Sequence, residues 1–140
     1  MSDYLKRFVR IQNECIEIVY EELTNGKKES DWMDYIFPQV LGLGKTDEAI
    51  YYAIKDIEEA KNFLNHEILG ERMNMLLDII LNLETNDVKD IFGFPEHIKF
   101  WSSMTLFSQA NPNNPRFKLV LDKFYQGRLE LATIDIINGR

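Results

Sequence analysis

The sequence predicts an all-α fold, one helical domain over residues 1–140 with about seven to nine helices of unequal length around a long central helix. Three observations carry that reading. Apolar residues recur at three- and four-residue spacing along most of the chain. Period-two alternation is almost missing, and Gly, Pro, Asn and Thr fall between the periodic stretches, where helices start and stop. With 45% hydrophobic and 12% aromatic residues, the chain can build one real core, and its 140 residues are too few for two ordinary domains.

The elements follow in order. From Tyr4 to Leu23 the residues Leu5, Phe8, Val9, Ile11, Cys15, Ile16, Val19 and Leu23 form one stripe, and Asn25-Gly26 supplies the stop. A short helix carries Trp32, Met33, Ile36 and Phe37 up to Pro38. A turn at Gly42–Gly44 comes next, and the Thr46 hydroxyl caps DEAIYYAI. Asp56 caps IEEAKNFLNH, which ends near His66. Ile68 to Leu83 holds the strongest apolar stripe, with Leu69, Met73, Leu76, Leu77 and Ile80, and is the expected central helix. Thr85 opens a short turn that ends at Phe92-Gly93, and Pro95 is placed as the first residue of EHIKFWSSMTLFSQA. NPNNP at 111–115 is a loop, followed by helices from Arg116 to Tyr125 and from Glu130 to Ile137. Within the last, TIDII is the one strand-like run. No internal repeat is present, so a solenoid is not indicated.

Charge removes several function classes. A formal charge of -7, a pI near 4.8 and the lack of any Lys/Arg stripe repel phosphate backbones, so nucleic acid is not an expected partner. The acidic residues Glu14, Glu17, Glu21, Glu22, Glu58 and Glu59 fall in helical patterns and read as solvated faces. Cys15 is the single cysteine, which leaves no internal disulfide and makes a core or half-buried thiol the default. The N-terminal MSDYLKRF carries charge where a signal peptide needs an apolar run. No segment reaches the roughly 18 to 20 apolar residues of a membrane span. A cytoplasmic protein without a membrane partner is expected, and a monomer, since acidic charge opposes self-association and no heptad seam is sustained.

Three motifs resemble chemistry and fail on spacing. Gly44-Lys45-Thr46 looks like the end of a phosphate-binding P-loop, but Gln39 stands where that motif needs its first glycine, and Pro38 rather than a strand leads in. His66-Glu67 begins like the zinc helix His-Glu-x-x-His, yet Gly70 occupies the second histidine's place. His66 alone reads as a helix-end residue bonding the last carbonyls. Lys99, Ser102 and Ser103 share a helix face, but the order reverses that of Ser-x-x-Lys enzymes and no oxyanion-hole glycine accompanies them. Their donors fit two other roles, bonds back to the helix or to a neighbour, or binding of an anion. No cofactor or metal is implied.

The aromatic set, including Trp32, Tyr35, Phe37, Tyr51, Tyr52, Phe92, Phe100 and Phe107, reads first as core. Trp32, Tyr51 and Tyr52 nevertheless carry polar atoms suited to lining a pocket whose polar end is Gln39, Lys99 or Ser102.

Asp31-Trp32-Met33, Ile36-Phe37-Pro38-Gln39 and Gly42-Leu43-Gly44 are continued in order by Tyr52-Ala53-Ile54, Glu59-Ala60, Leu69-Gly70 with Arg72, and Ile91-Phe92-Gly93. Lys99 then precedes Ser102-Ser103-Met104-Thr105-Leu106-Phe107. This pattern resembles the bacterial domain-of-unknown-function family 1810 from Arg7-Phe8 to Thr133. The resemblance implies a single-domain, multihelical cytoplasmic protein with no established activity. Some members carry a calpastatin label, a protease-inhibitor name that nothing in these residues supports. Two departures stand out: Asp31 replaces the histidine usual before Trp32, and Asp34 replaces an aromatic usual two residues after it. If that histidine serves a reaction in relatives, this chain lacks it or uses a carboxylate; Glu96 matches an acidic position before Lys99.

Three functions are compatible with these residues. The leading one is a binding domain for a small anionic or nucleotide-like ligand, where the turn after Pro38 meets the helix of Lys99 to Thr105. There Gln39 reads an amide or base edge, Lys99 holds negative charge, Ser102 and Thr105 donate, and Trp32 or Tyr52 stacks. The second is a protein-interaction module using an apolar groove between helices or the surface from Phe94 to Trp101. The third is an enzyme on a small metabolite, with Lys99, His66 or Asp31 as acid or base.

Overall fold

Helix periodicity becomes nine α-helices among the described residues of the computed structural model, which describes residues 3–140. Met1 and Ser2, the first two residues of the charged N-terminal stretch, lie outside the described residues. The helices are α1 (Lys6–Thr24), α2 (Met33–Ile36), α3 (Asp47–Tyr51), α4 (Ile57–Asn65), α5 (Glu67–Leu81), α6 (Val88–Phe92), α7 (Glu96–Ala110), α8 (Pro115–Tyr125) and α9 (Leu131–Ile137). A 3-10 turn, Asp3–Leu5, leads into α1. No strand occurs among the described residues, and a single parallel bridge joins Val40 to Ile54. TIDII, the strand-like run, is the body of α9.

Capping chemistry sets most of the boundaries. Thr46 accepts the Ala49 N–H at 3.1 Å and Asp56 accepts that of Glu59 at 2.9 Å, each satisfying an orphan donor of its helix. His66 behaves differently from the sequence expectation. Its Nδ1 accepts the N–H groups of Ile68 and Leu69 at 3.1 and 3.3 Å, so it caps the start of α5 rather than the carbonyls of α4. That role requires the neutral ring with its proton on Nε2. Directly after this one-residue hinge α5 crosses α4 so closely that a Cβ on Gly70 would overlap the Leu64 carbonyl oxygen. The glycine that spoils the zinc motif is thus a packing requirement, because no histidine fits there.

One continuous core runs through the molecule. Helix α5 packs against α1, α4 and α8, while α7 packs against α2, α4, α6, α8 and α9. The expected central helix therefore shares its place with α7. Phe8, Phe37, Phe63, Phe100, Phe107 and Phe117 are fully buried. Edge-on pairs such as Phe37–Phe100 (4.9 Å) and Phe8–Phe63 (5.1 Å) link them from one helix to the next. Each such side chain stabilises the fold by about 2–3 kcal/mol relative to exposure.

Two glutamates read as solvated are instead buried. Glu59 pairs with Arg7 at 3.4 Å, and Arg7 also donates to the carbonyls of Tyr4, Tyr51 and Ala53. Glu22 is 8% exposed and gathers donors from the following loop. Periodicity alone could not reveal either, because the partners lie in other segments.

Candidate functional site

The loop between α1 and α2 is organised by Glu22. One carboxylate oxygen accepts the N–H groups of Glu29 (2.7 Å) and Ser30 (3.0 Å) and the Trp32 indole (2.9 Å); the other accepts the Ser30 hydroxyl. Burial pushes this carboxyl up, but the four donors outweigh it and hold it below the usual carboxylate range. Trp32, 1% exposed, is thereby fixed as a wall packed on Phe37 and Phe92. It has no free face on which a ligand could stack. The Lys28 ammonium lies 5.2 Å from its ring centroid and pairs with Glu96 at 3.2 Å.

A cleft of about 270 Å³ is lined by Asp31 and Met33, the chain neighbours of Trp32, and by Asp34, Thr46, Glu48, Glu96 and Lys99. Asp34 lies in α2, Thr46 and Glu48 at the start of α3, and Glu96 and Lys99 in the first turns of α7. Gly44 permits the approach of the chain to α3, since a Cβ there would press on that of Ala49 at 2.5 Å. The Lys99 ammonium is 3.5 Å from both Asp34 and Glu96. Burial lowers its proton affinity, and the two carboxylates more than reverse this, so the amine is held charged, above its ordinary value. A charged lysine donates hydrogen bonds and positive charge, whereas nucleophilic or base chemistry needs the neutral amine.

The hydroxyls expected beside Lys99 are employed elsewhere. Ser102 donates to the Ile98 carbonyl (3.2 Å) and to Glu130 (3.0 Å), and Thr105 accepts the Glu130 N–H at 3.0 Å. Glu130 is also the cap of α9, accepting from Ala132 N–H, Thr133 N–H and the Thr133 hydroxyl. Burial raises its carboxyl and these donors bring it below the usual range. Ser103 is fully buried, and its hydroxyl has no partner among the described residues.

Gln39 is half-buried; its carbonyl accepts the Ile54 N–H at 2.8 Å, next to the Val40–Ile54 bridge. Tyr52 is half-buried with its ring on Phe8, Tyr35 and Tyr51. Of the six residues singled out from sequence, Lys99 alone lines the cleft, and Gln39 and Ser102 do not meet it there. Asp34, Glu96, Thr46 and Glu48 were missed as a group. The available signal was the pair of departures from the family pattern, Asp31 and Asp34, both of which line this cleft.

A helical domain of this architecture, with the Trp32 wall, the GLG turn and the Lys99 helix in this order, defines its class. The chain belongs to the family described as "Protein of unknown function (DUF1810)", whose model matches residues 2–137. Among solved structures it is similar to the conserved hypothetical protein Rv1873 from Mycobacterium tuberculosis. The two are 37% identical, the match covers 96% of each chain, and the TM-score is 0.94. No curated protein matches. Among the described residues no helix is long and apolar enough to cross a membrane, and no group of three or more His, Cys, Asp or Glu could hold a metal ion.

Proposed function

We propose that this protein is a small-molecule binding domain whose site is the cleft between α2, α3 and α7, and that its ligand carries positive charge. The observation behind this reading is a charge imbalance in a concave surface. Asp31, Asp34, Glu48 and Glu96 line it with Lys99, whose amine is engaged by Asp34 and Glu96. With Lys28 also paired to Glu96, four carboxylates stand against two amines. Carboxylates gathered around a partly enclosed space focus a negative potential that attracts a cation and repels an anion. The anionic or nucleotide-like ligand expected from Lys99 in the sequence is therefore disfavoured here. About 270 Å³ suits an amine or guanidine of metabolite size.

Thermal-shift measurements with spermidine, agmatine and arginine, set against phosphate and nucleotides, test the reading. A cation at a hundred times its dissociation constant should stabilise the fold by about 2.7 kcal/mol. The shift should vanish in Asp34→Asn and persist in Lys99→Ala. Stabilisation by anions that is lost in Lys99→Ala would restore the opposite polarity, and a flat panel would remove both.

A further inference from the structure

On the side of the molecule formed by α1 and α5, away from the residues of the Lys99 cleft, a second concavity of about 390 Å³ lies between the two helices. Its apolar surface comes from Ile16 and Tyr20 of α1 and from Ile68 and Met75 of α5. Ile68 and Met75 are 41% and 44% exposed, whereas Leu69, Met73, Leu76, Leu77 and Ile80 of the same helix are buried. The Tyr20 hydroxyl donates to the Met75 sulfur at 3.4 Å, which brings the two walls together over a floor of adaptable side chains. From Ile68 to Met75 the groove runs about 10 Å, the rise of two helical turns.

Its α5 edge is acidic. Glu67 and Glu71 stand one turn apart along the outer face of α5. Glu17 and Glu21 stand one turn apart on α1, beside Ile16 and Tyr20. All four are exposed, and none has an ion-pair partner among the described residues. Arg72 is the one cation in the groove, held on α1 by the side-chain oxygens of Gln12 (3.3 Å) and Asn13 (2.6 Å). One guanidinium, itself bonded to Gln12 and Asn13, against the two unpaired carboxylates Glu67 and Glu71 leaves the groove negative.

From this arrangement we infer that the α1–α5 groove docks a basic amphipathic helix of another protein. Two apolar side chains one or two turns apart fill the space between Ile68 and Met75, and flanking Lys or Arg residues meet Glu67 and Glu71. Charge complementarity selects this occupant. A second copy of the chain would set acidic rim against acidic rim, and anionic lipid headgroups would be repelled in the same way.

The test is fluorescence anisotropy of a labelled Leu/Lys amphipathic peptide of about four helical turns against the full chain. A Leu/Glu peptide of the same apolar pattern serves as the control probe. The wild type should bind the basic peptide and ignore the acidic one. Glu67→Lys with Glu71→Lys, and separately Ile68→Ala with Met75→Ala, should each weaken binding about tenfold or more, read on variants whose circular dichroism matches wild type. If the charge reversal unfolds the chain, Glu67→Gln with Glu71→Gln should give a smaller loss in the same direction. Glu58→Lys with Glu84→Lys changes the net charge equally at exposed sites outside the groove and should leave most of the affinity. The inference fails if that control weakens binding as much as the groove variants do. It also fails if the groove variants bind like wild type, or if the wild type does not bind the basic peptide.

Discussion

Two stripes of the same helix meet opposite fates. On one, Ser102 and Thr105 of α7 are closed over by Glu130 at the head of α9, and the Glu130 side-chain oxygens accept from Ser102, Ala132 and Thr133. On the other, Glu96 and Lys99 face α2 and α3 across a gap, and carboxylates outnumber the amine. The first cluster is satisfied and anchors a helix. The second keeps surplus charge next to open space. Three residues of the SSMTLF helix that looked like one pocket from their spacing thus divide between structure and site.

The largest expected effect tests the Glu22–Trp32 network. Glu22→Ala orphans the Trp32 indole and two backbone N–H groups and should destabilise the fold by about 3 kcal/mol in urea melts. A loss under 1 kcal/mol would mean that water replaces the carboxylate and that Trp32 is not fixed by it. Glu130→Ala removes the α9 cap and leaves the buried Thr133 hydroxyl unpaired, at a cost of about 2 kcal/mol.

These two glutamates also predict the acid limb of stability. Both have folded-state values below that of an unfolded glutamate, about 4.3. Their stabilisation is therefore present above about pH 4.3 and lost as the pH falls through the folded values. Combined Glu22→Gln and Glu130→Gln should flatten the pH dependence below about pH 4.3.

The smaller effects sharpen the contrast between the two stripes. Ser103→Ala deletes a buried hydroxyl without a partner and should raise stability by about 1 kcal/mol in thermal melts. A loss instead would reveal a hydrogen bond at that site. Lys99→Ala should shift stability at neutral pH by less than about 1 kcal/mol, since its ion pairs are partly exposed. Its folded value is raised, so any contribution is full below about pH 10.4 and fades as the pH rises through the folded value, a trend absent from the variant.

Much of the fold is legible along the chain because capping and periodicity are local. Thr46 and Asp56 cap the helices expected of them, and the stripe Leu69, Met73, Leu76, Leu77, Ile80 is buried as its spacing implies. His66 and Glu130 were less legible. Histidine and glutamate are uncommon caps, and each acquires the role from the geometry of the preceding residues. Helix α9, expected from Glu130 to Ile137, forms against a local preference for strand at Thr133, Ile134, Ile136 and Ile137, which the cap and the burial of Thr133 override. Of the candidate site, Lys99 was visible because a lysine on a largely apolar helix is conspicuous.

What the sequence by itself determined is the all-α class, the helix order and the family, since these rest on spacings of three and four residues and on short motifs read within single segments. Only the tertiary structure decided which polar groups meet. Glu22 with Trp32, Glu130 with Ser102, Asp34 with Lys99 and the facing walls of α1 and α5 each join segments that sequence spacing does not relate. A charged or hydroxyl side chain looks the same in the chain whether it ends in solvent, in a closed network or in a cleft. The packing of neighbouring helices supplies or withholds the partner, and with it the residue's role.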